Sequence, residues 1–160
     1  MDKETVDKLM QQAVAEGVFP GAVLEVSRKA DVIFSKAYGL AQIDGQVPAT
    51  LETLFDLASL TKPLATTLAV IRLVQNHKIG VAQALAEVLP EFEGTPKARI
   101  KLKHLLYHNS GLPDYRPYYQ KLSKLPLDSR RNALRQMLVK EPLIKPIGKE
   151  VFYSDIGFMI

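Results

Sequence analysis

The chain has 160 residues, within the roughly 100–200 of one ordinary domain. Apolar residues make up 47% and the formal net charge is +4. That composition supports a buried core and excludes a disordered chain; the charges are mixed in sign, with no dense basic stripe among aromatics, which argues against nucleic acid as a partner. No cysteine is present, so a disulfide framework, a thiolate metal site and a cysteine nucleophile are excluded.

The opening "MDKETVDKLMQQ" is charged and helix-like. It lacks a basic stretch followed by an apolar one, so no secretory leader is read there. No run approaches the ~18 apolar residues of a membrane span. As written, the sequence predicts a cytoplasmic protein; a periplasmic or secreted chain whose leader had been removed would look the same.

Asp2 to Glu16 predicts an amphipathic helix, with Val6, Leu9, Met10, Ala13 and Val14 at three- and four-residue spacing and Gly17 as its stop. Two β-rich runs, 22–28 and 31–38, flank "RKAD" and predict a hairpin without a turn glycine. Residues 41–53 are polar, hold Gly45 and Pro48, and predict a loop. Pro63 to Asn76 predicts the strongest helix, so apolar around its circumference that it is expected to be buried centrally. Pro63 suits its first turn, where a missing N–H costs little.

Residues 81–92 predict a short helix stopped by Pro90, and 101–112 another ending at Gly111. Residues 112–126 predict a loop rich in Tyr and Pro, 129–140 a basic amphipathic helix, and 141–153 a turn-rich connector. The last three residues, Phe158, Met159 and Ile160, are apolar, whereas domain ends are usually polar and exposed. The expectation is the first part of a longer protein. Two strands alone are marginal, so further strands are expected from a following segment or from a partner chain, as in an oligomer.

"LFDLASLTKPLATTLAVIRLVQ" sets Ser59 and Lys62 three apart at the mouth of the apolar helix. A serine hydroxyl needs a base to become a nucleophile, and residues three apart share a helix face. Burial and the positive helix end both disfavour a lysine ammonium, and backbone N–H groups there could serve half of an oxyanion hole. The alternative is a helix-start serine beside a solvated lysine, and S-x-x-K by itself leaves both readings open.

The neighbourhood adds to this. "PGAVLEVSRKADVIFSKAYGLA", "LFDLASLTKP", "IKLKHLLYHNSGLPDY" and "FYSDIGF", in that order, resemble the serine β-lactamase and penicillin-binding-protein superfamily, above all its class C β-lactamase, D-aminopeptidase and esterase branch. The resemblance implies an α+β fold of the β-lactamase/transpeptidase type, here truncated. Residues 1–50 would supply a helix and two strands of the α/β layer, residues 51–160 a mainly helical region, with Ser59 at the seam. It implies Ser59 as the acylated nucleophile, with Lys62 and Tyr153 sharing the proton transfers, on ester, D-amino-acid peptide or β-lactam substrates. No metal and no organic cofactor is implied.

Two departures from the family pattern stand out. Asp155 occupies a substrate-binding position where asparagine is common. An ionised aspartate only accepts hydrogen bonds and would stabilise the Lys62 ammonium, shifting the base role toward Tyr153. That favours an esterase- or peptidase-like relative over an efficient β-lactamase. The K-T-G-type element, which supplies a second oxyanion donor, is absent after Tyr153. Losing one such donor costs about 3 kcal/mol, so this chain alone is expected to be nearly inactive. The rival expectation is a non-catalytic, penicillin-recognising relative, or a fragment acting as a binding or assembly unit.

Other groups are weaker candidates. His104 and His108 have i, i+4 metal-ligand spacing, but "HLLYH" lacks the glutamate of H-E-x-x-H and no third ligand is evident; packing and helix capping are expected instead. Asp56 and His77 have no catalytic spacing. The basic stretch from Lys121 to Arg135 reads as a solvated face. Tyr115, Tyr118 and Tyr119 either line a cleft or cover the core.

Overall fold

The computed structural model describes residues 2–160, which divide into two compact units, one ending at Asp56 and the other spanning Leu57–Ile160. The architecture is mixed α and β, with a three-stranded antiparallel sheet in the first unit and helices dominating the second.

In the first unit, α1 (Lys3–Ala15) starts where the Asp2 carboxylate accepts the Glu4 N–H at 3.0 Å, and it stops before Gly17 at φ +71°. β1 (Gly21–Arg28) and β2 (Asp31–Gln42) form the expected hairpin, with Gly21 opposite Gly39 and Arg28 opposite Asp31. Its two-residue turn needs left-handed backbone at both positions, and Lys29 (φ 51°) and Ala30 (φ 71°) supply it without a glycine. The helix is tied to β2 through Asp7, which accepts from the Tyr38 hydroxyl at 2.9 Å and pairs with Lys36 at 2.7 Å. Burial, reinforced by the Asp7 hydrogen bond and charge, pushes the Tyr38 phenol up to about 12. The loop expected over 41–53 is corrected: β2 runs to Gln42 and a two-residue strand, β3 (Val47–Pro48), pairs with it after a turn. Pro48 is tolerated there because an edge residue need not donate to the ladder.

The second unit opens with a 3-10 turn, Ala58–Leu60, and a π-helical stretch, Lys62–Thr67, that runs into α2 (Leu68–Gln75). The continuous buried α-helix expected from Pro63 is therefore corrected twice. Its first turns are wider than α, and no residue of it is buried; Leu64, Leu68, Ile71 and Leu73 are exposed. The reason is that this unit's core forms elsewhere. Thr66 and Val70 face it only across an apolar cleft of about 290 Å³ that Leu85, Leu102 and Leu105 also line. Apolarity says which residues can be buried, not which neighbours reach them.

That core comprises Leu85, Phe92, Ile100, Leu105, Leu112, Leu138 and Ile156. It is drawn from α3 (Leu85–Val88), the turn Pro90–Phe92, α4 (Leu102–Leu106), α6 (Leu127–Lys140), α7 (Ile156–Met159) and the chain between them. A short α5 (Tyr119–Leu122) interrupts the expected loop, and α6 begins two residues early. α4 ends well before Gly111, because His108 takes the left-handed φ of 53° that closes the helix. Glu141 ties the long connection down: its carboxylate takes the Tyr118 hydroxyl at 2.5 Å and Arg116 at 2.9 Å, while its carbonyl accepts from the buried Lys97 ammonium at 2.5 Å.

Residues 108–114 and 144–155 are laced together by main-chain bonds. Ile144 N–H donates to the Gly111 carbonyl (2.9 Å), Gly148 N–H to Asn109 (2.7 Å), Phe152 N–H to His108 (2.7 Å) and Asp155 N–H to Asp114 (2.7 Å). Gly111 sits at φ +82°, and a Cβ there would lie 2.2 Å from the Lys145 carbonyl oxygen. Backbone on both sides leaves no flexible group to yield. Gly111→Ala is expected to cost about 2 kcal/mol or more, read as a lower urea midpoint with an unchanged slope.

Candidate active site

Ser59 lies in the 3-10 turn and Lys62 begins the π-helical stretch one turn later. The side chains meet as their spacing predicts, Lys62 Nζ donating to Ser59 Oγ at 3.2 Å. The residue before the serine, Ala58, is held at φ +43°, a conformation costly for a residue with a Cβ and one that clusters at functional sites. π-helical turns have the same association.

Tyr153 arrives from the other end of the unit. The laced segment fixes its neighbours: beyond the Phe152 and Asp155 main-chain bonds, the Ser154 N–H donates to His108 Nδ1 at 3.1 Å. Ser154 Oγ donates to the Pro113 carbonyl at 2.5 Å and accepts the Gly157 N–H at 3.0 Å. Ile156, fully buried, plugs the next position into the core. Tyr153 itself is half exposed, yet its hydroxyl is 2.6 Å from Ser59 Oγ. The three side chains picked from the sequence are thus one hydrogen-bonded cluster, and the fourth, Asp155, closes it with an ion pair to Lys62 at 2.5 Å.

The charge state of Lys62 follows from competing causes. Its side chain is 14% exposed, and this burial disfavours the ammonium. The Asp155 carboxylate and then Tyr153 act the other way and prevail, so the Lys62 pKa is raised above its usual 10.5. The expectation that burial would make this lysine a base is therefore corrected; the effect read for Asp155 dominates. An ammonium has donors only, so Ser59 Oγ accepts from Lys62, while the Ser59 and Tyr153 oxygens share a hydrogen bond in which either can donate.

Space for a ligand opens on both sides of Ser59. A cleft of about 260 Å³ is lined by Ser59, Lys62, His108, Tyr153 and Phe158, and one of about 390 Å³ by Ser59, Lys62, Thr66 and Asp155. Spacing missed His108, weighed only as a metal ligand or cap. Its ring stacks on Tyr153 with centroids 4.5 Å apart, across 45 positions of sequence that carry no periodic signal. His104 Nδ1 accepts the Lys101 N–H at 3.2 Å and caps α4. No group of three or more His, Asp or Glu side chains suited to a metal occurs among the described residues. Of the loop tyrosines, Tyr118 packs on the core, while Tyr115 and Tyr119 are exposed. No helix among the described residues is long and apolar enough to cross a membrane.

The sequence profile of the Beta-lactamase family matches residues 6–160. The chain is 36% identical, over 170 aligned positions, to a Bacillus subtilis (strain 168) protein named N-acetylmuramyl-L-alanine amidase, covering 97% of this chain and 38% of that one. It superposes on a class C beta-lactamase with a TM-score of 0.79 and 26% identity, over 98% of this chain and 42% of that one. It superposes on EstCE1, a hydrolase with promiscuous acyltransferase activity, with a TM-score of 0.77 and 29% identity, over 98% and 44%. The chain therefore spans about two fifths of the length of these relatives.

The raised pKa of Lys62 fixes the sign of a stability effect. Its contribution is present in full below the unfolded value of 10.5 and is lost as pH rises through the higher folded value. Asp155→Asn removes the leading upward influence and leaves burial opposed by less. The variant is expected to lose about 1–2 kcal/mol at neutral pH. Its alkaline loss of stability from this lysine should also be smaller, as read from urea midpoints across the lysine range. Identical pH profiles would show that the two charges are not coupled.

Proposed function

The chain belongs to the beta-lactamase family, and from that premise we propose that it carries the nucleophile half of a serine hydrolase working through an acyl-enzyme. The single observation that carries the reading is the Ser59 hydroxyl held at once by Tyr153 (2.6 Å) and Lys62 (3.2 Å). Ser59 Oγ attacks the substrate carbonyl as its proton passes to the Tyr153 oxygen and the phenol's own proton moves on to the departing amine or alcohol. The Lys62 ammonium offsets the negative charge that develops on both oxygens, and Asp155 keeps that ammonium in place. The carbonyl bond to that departing group breaks as it takes the proton, and Tyr153 ends with one proton, as it began. Water later cleaves the Ser59 ester by the same exchange in reverse.

The substrates proposed are esters, D-amino-acid peptides or β-lactams. Names among the relatives, an amidase, a hydrolase with acyltransferase activity and a class C beta-lactamase, agree in acyl transfer and differ in substrate. Asp155 favours the ester and peptide end. A carboxylate only accepts, so it cannot donate to a substrate carbonyl as an asparagine amide can.

A fluorophosphonate or fluorescent penicillin should add one covalent mass to the protein, absent in Ser59→Ala. Tyr153→Phe should slow the labelling roughly 100-fold or more, the loss typical of a proton-transfer group. Labelling that survives Ser59→Ala would remove this serine as nucleophile. A protein that never labels but still binds penicillin reversibly would be a recognition unit, not an enzyme.

A further inference from the structure

His108 is the one imidazole at the site, and the acyl-transfer scheme gives it no task. It sits just past α4 at φ +53°, a conformation expensive for a histidine. Three contacts converge on it. Its ring stacks on Tyr153, with centroids 4.5 Å apart and planes 29° from parallel. Its Nδ1 accepts the Ser154 N–H at 3.1 Å, and its carbonyl accepts the Phe152 N–H at 2.7 Å. The residues before and after the tyrosine are therefore both fastened to His108, and the phenol lies on its face. Phe158 of α7 packs on the ring at 5.1 Å.

We propose that His108 is the positioning residue for Tyr153: its neutral ring holds the phenol on Ser59, and protonating the ring releases the tyrosine and sets the acid limit of the reaction. The proposal rests on the reading in which Tyr153 takes the Ser59 proton. Acceptance of the Ser154 N–H requires Nδ1 to be unprotonated. A proton added there turns an acceptor against a donor, in a backbone segment with no slack. It also adds a second positive charge beside the ammonium that serves Ser59.

The charged groups facing the ring are Lys62, from the π-helical stretch, and Asp155, from the segment that carries Tyr153. Burial and then the Lys62 charge hold the His108 pKa below its usual 6.5, with Asp155 opposing them. The ring is thus neutral at pH 7 and titrates in the acid range, where a loss of Tyr153 geometry would be felt. A displacement of the order of 1 Å is enough to cost about 100-fold in rate.

The test compares pH profiles of Ser59 labelling by an uncharged fluorophosphonate in wild type, His108→Asn, His108→Ala and Asp155→Asn. Asparagine tolerates positive φ and offers an oxygen to the Ser154 N–H, but it does not titrate. The wild-type acid limb should vanish in His108→Asn, with the plateau lowered roughly tenfold through the lost stacking, and His108→Ala should fall further. An acid limb that persists in His108→Asn but vanishes in Asp155→Asn overturns the proposal, as does a His108→Ala rate within about twofold of wild type.

A second readout uses no variant and no turnover. With ring-labelled histidine and tyrosine, the Tyr153 signal should follow the His108 titration curve by NMR. Only His77 and His104 compete for assignment. A Tyr153 signal indifferent to that titration overturns the proposal, whether or not the protein labels. Ser59-independent labelling, or none, would instead sink the acyl-enzyme reading, and the NMR arm would still decide the role of His108.

Discussion

The lacing of residues 108–114 to residues 144–155 is the constraint on which the site depends. Each of its main-chain hydrogen bonds adds only about 1 kcal/mol net, but together they remove the freedom of a segment that has no helix or strand of its own. Tyr153 can therefore be half exposed and still present its hydroxyl 2.6 Å from Ser59. The side chains on either side of it do the anchoring: Ser154 is buried and doubly bonded, and Ile156 is a core residue. The "HNSGLPD" and "FYSDIGF" stretches accompany one another because the first is the frame in which the second is held.

Against that frame, Lys62 connects two opposed requirements. Burial would discharge it, and a discharged lysine could act as a base. The Asp155 carboxylate at 2.5 Å wins instead, and the ammonium persists. In the proposed acyl transfer the two then differ: Lys62 offers donors and charge, and Tyr153 an oxygen that can accept. An asparagine at 155 would remove the leading influence that keeps the lysine charged.

Left-handed backbone occurs on both sides of the Ser59 cluster. Ala58 before Ser59 and His108 beneath Tyr153 both hold left-handed backbone, and the helix carrying Lys62 opens in wide π turns. By contrast, Lys29 and Ala30 of the first unit are ordinary turn residues demanded by a two-residue hairpin. The same dihedral has a different cause in each place, and only burial and partners distinguish them.

The order of elements was legible in the sequence wherever one local period ran long enough. α1, the hairpin around Lys29-Ala30 and α6 all follow from three-to-four or two-residue alternation. Ser59 and Lys62 were legible as well, because three residues of helical turn bring side chains together without help from the rest of the chain. β3 was not, since two residues carry no period, nor was the exposure of α2, since periodicity describes a surface and not what covers it. The distance from Tyr153 to Ser59, the charge on Lys62 and the stacking of His108 were decided by tertiary structure alone. Each depends on groups about 45 to 94 positions apart, and no local pattern in a chain encodes where its distant parts will meet.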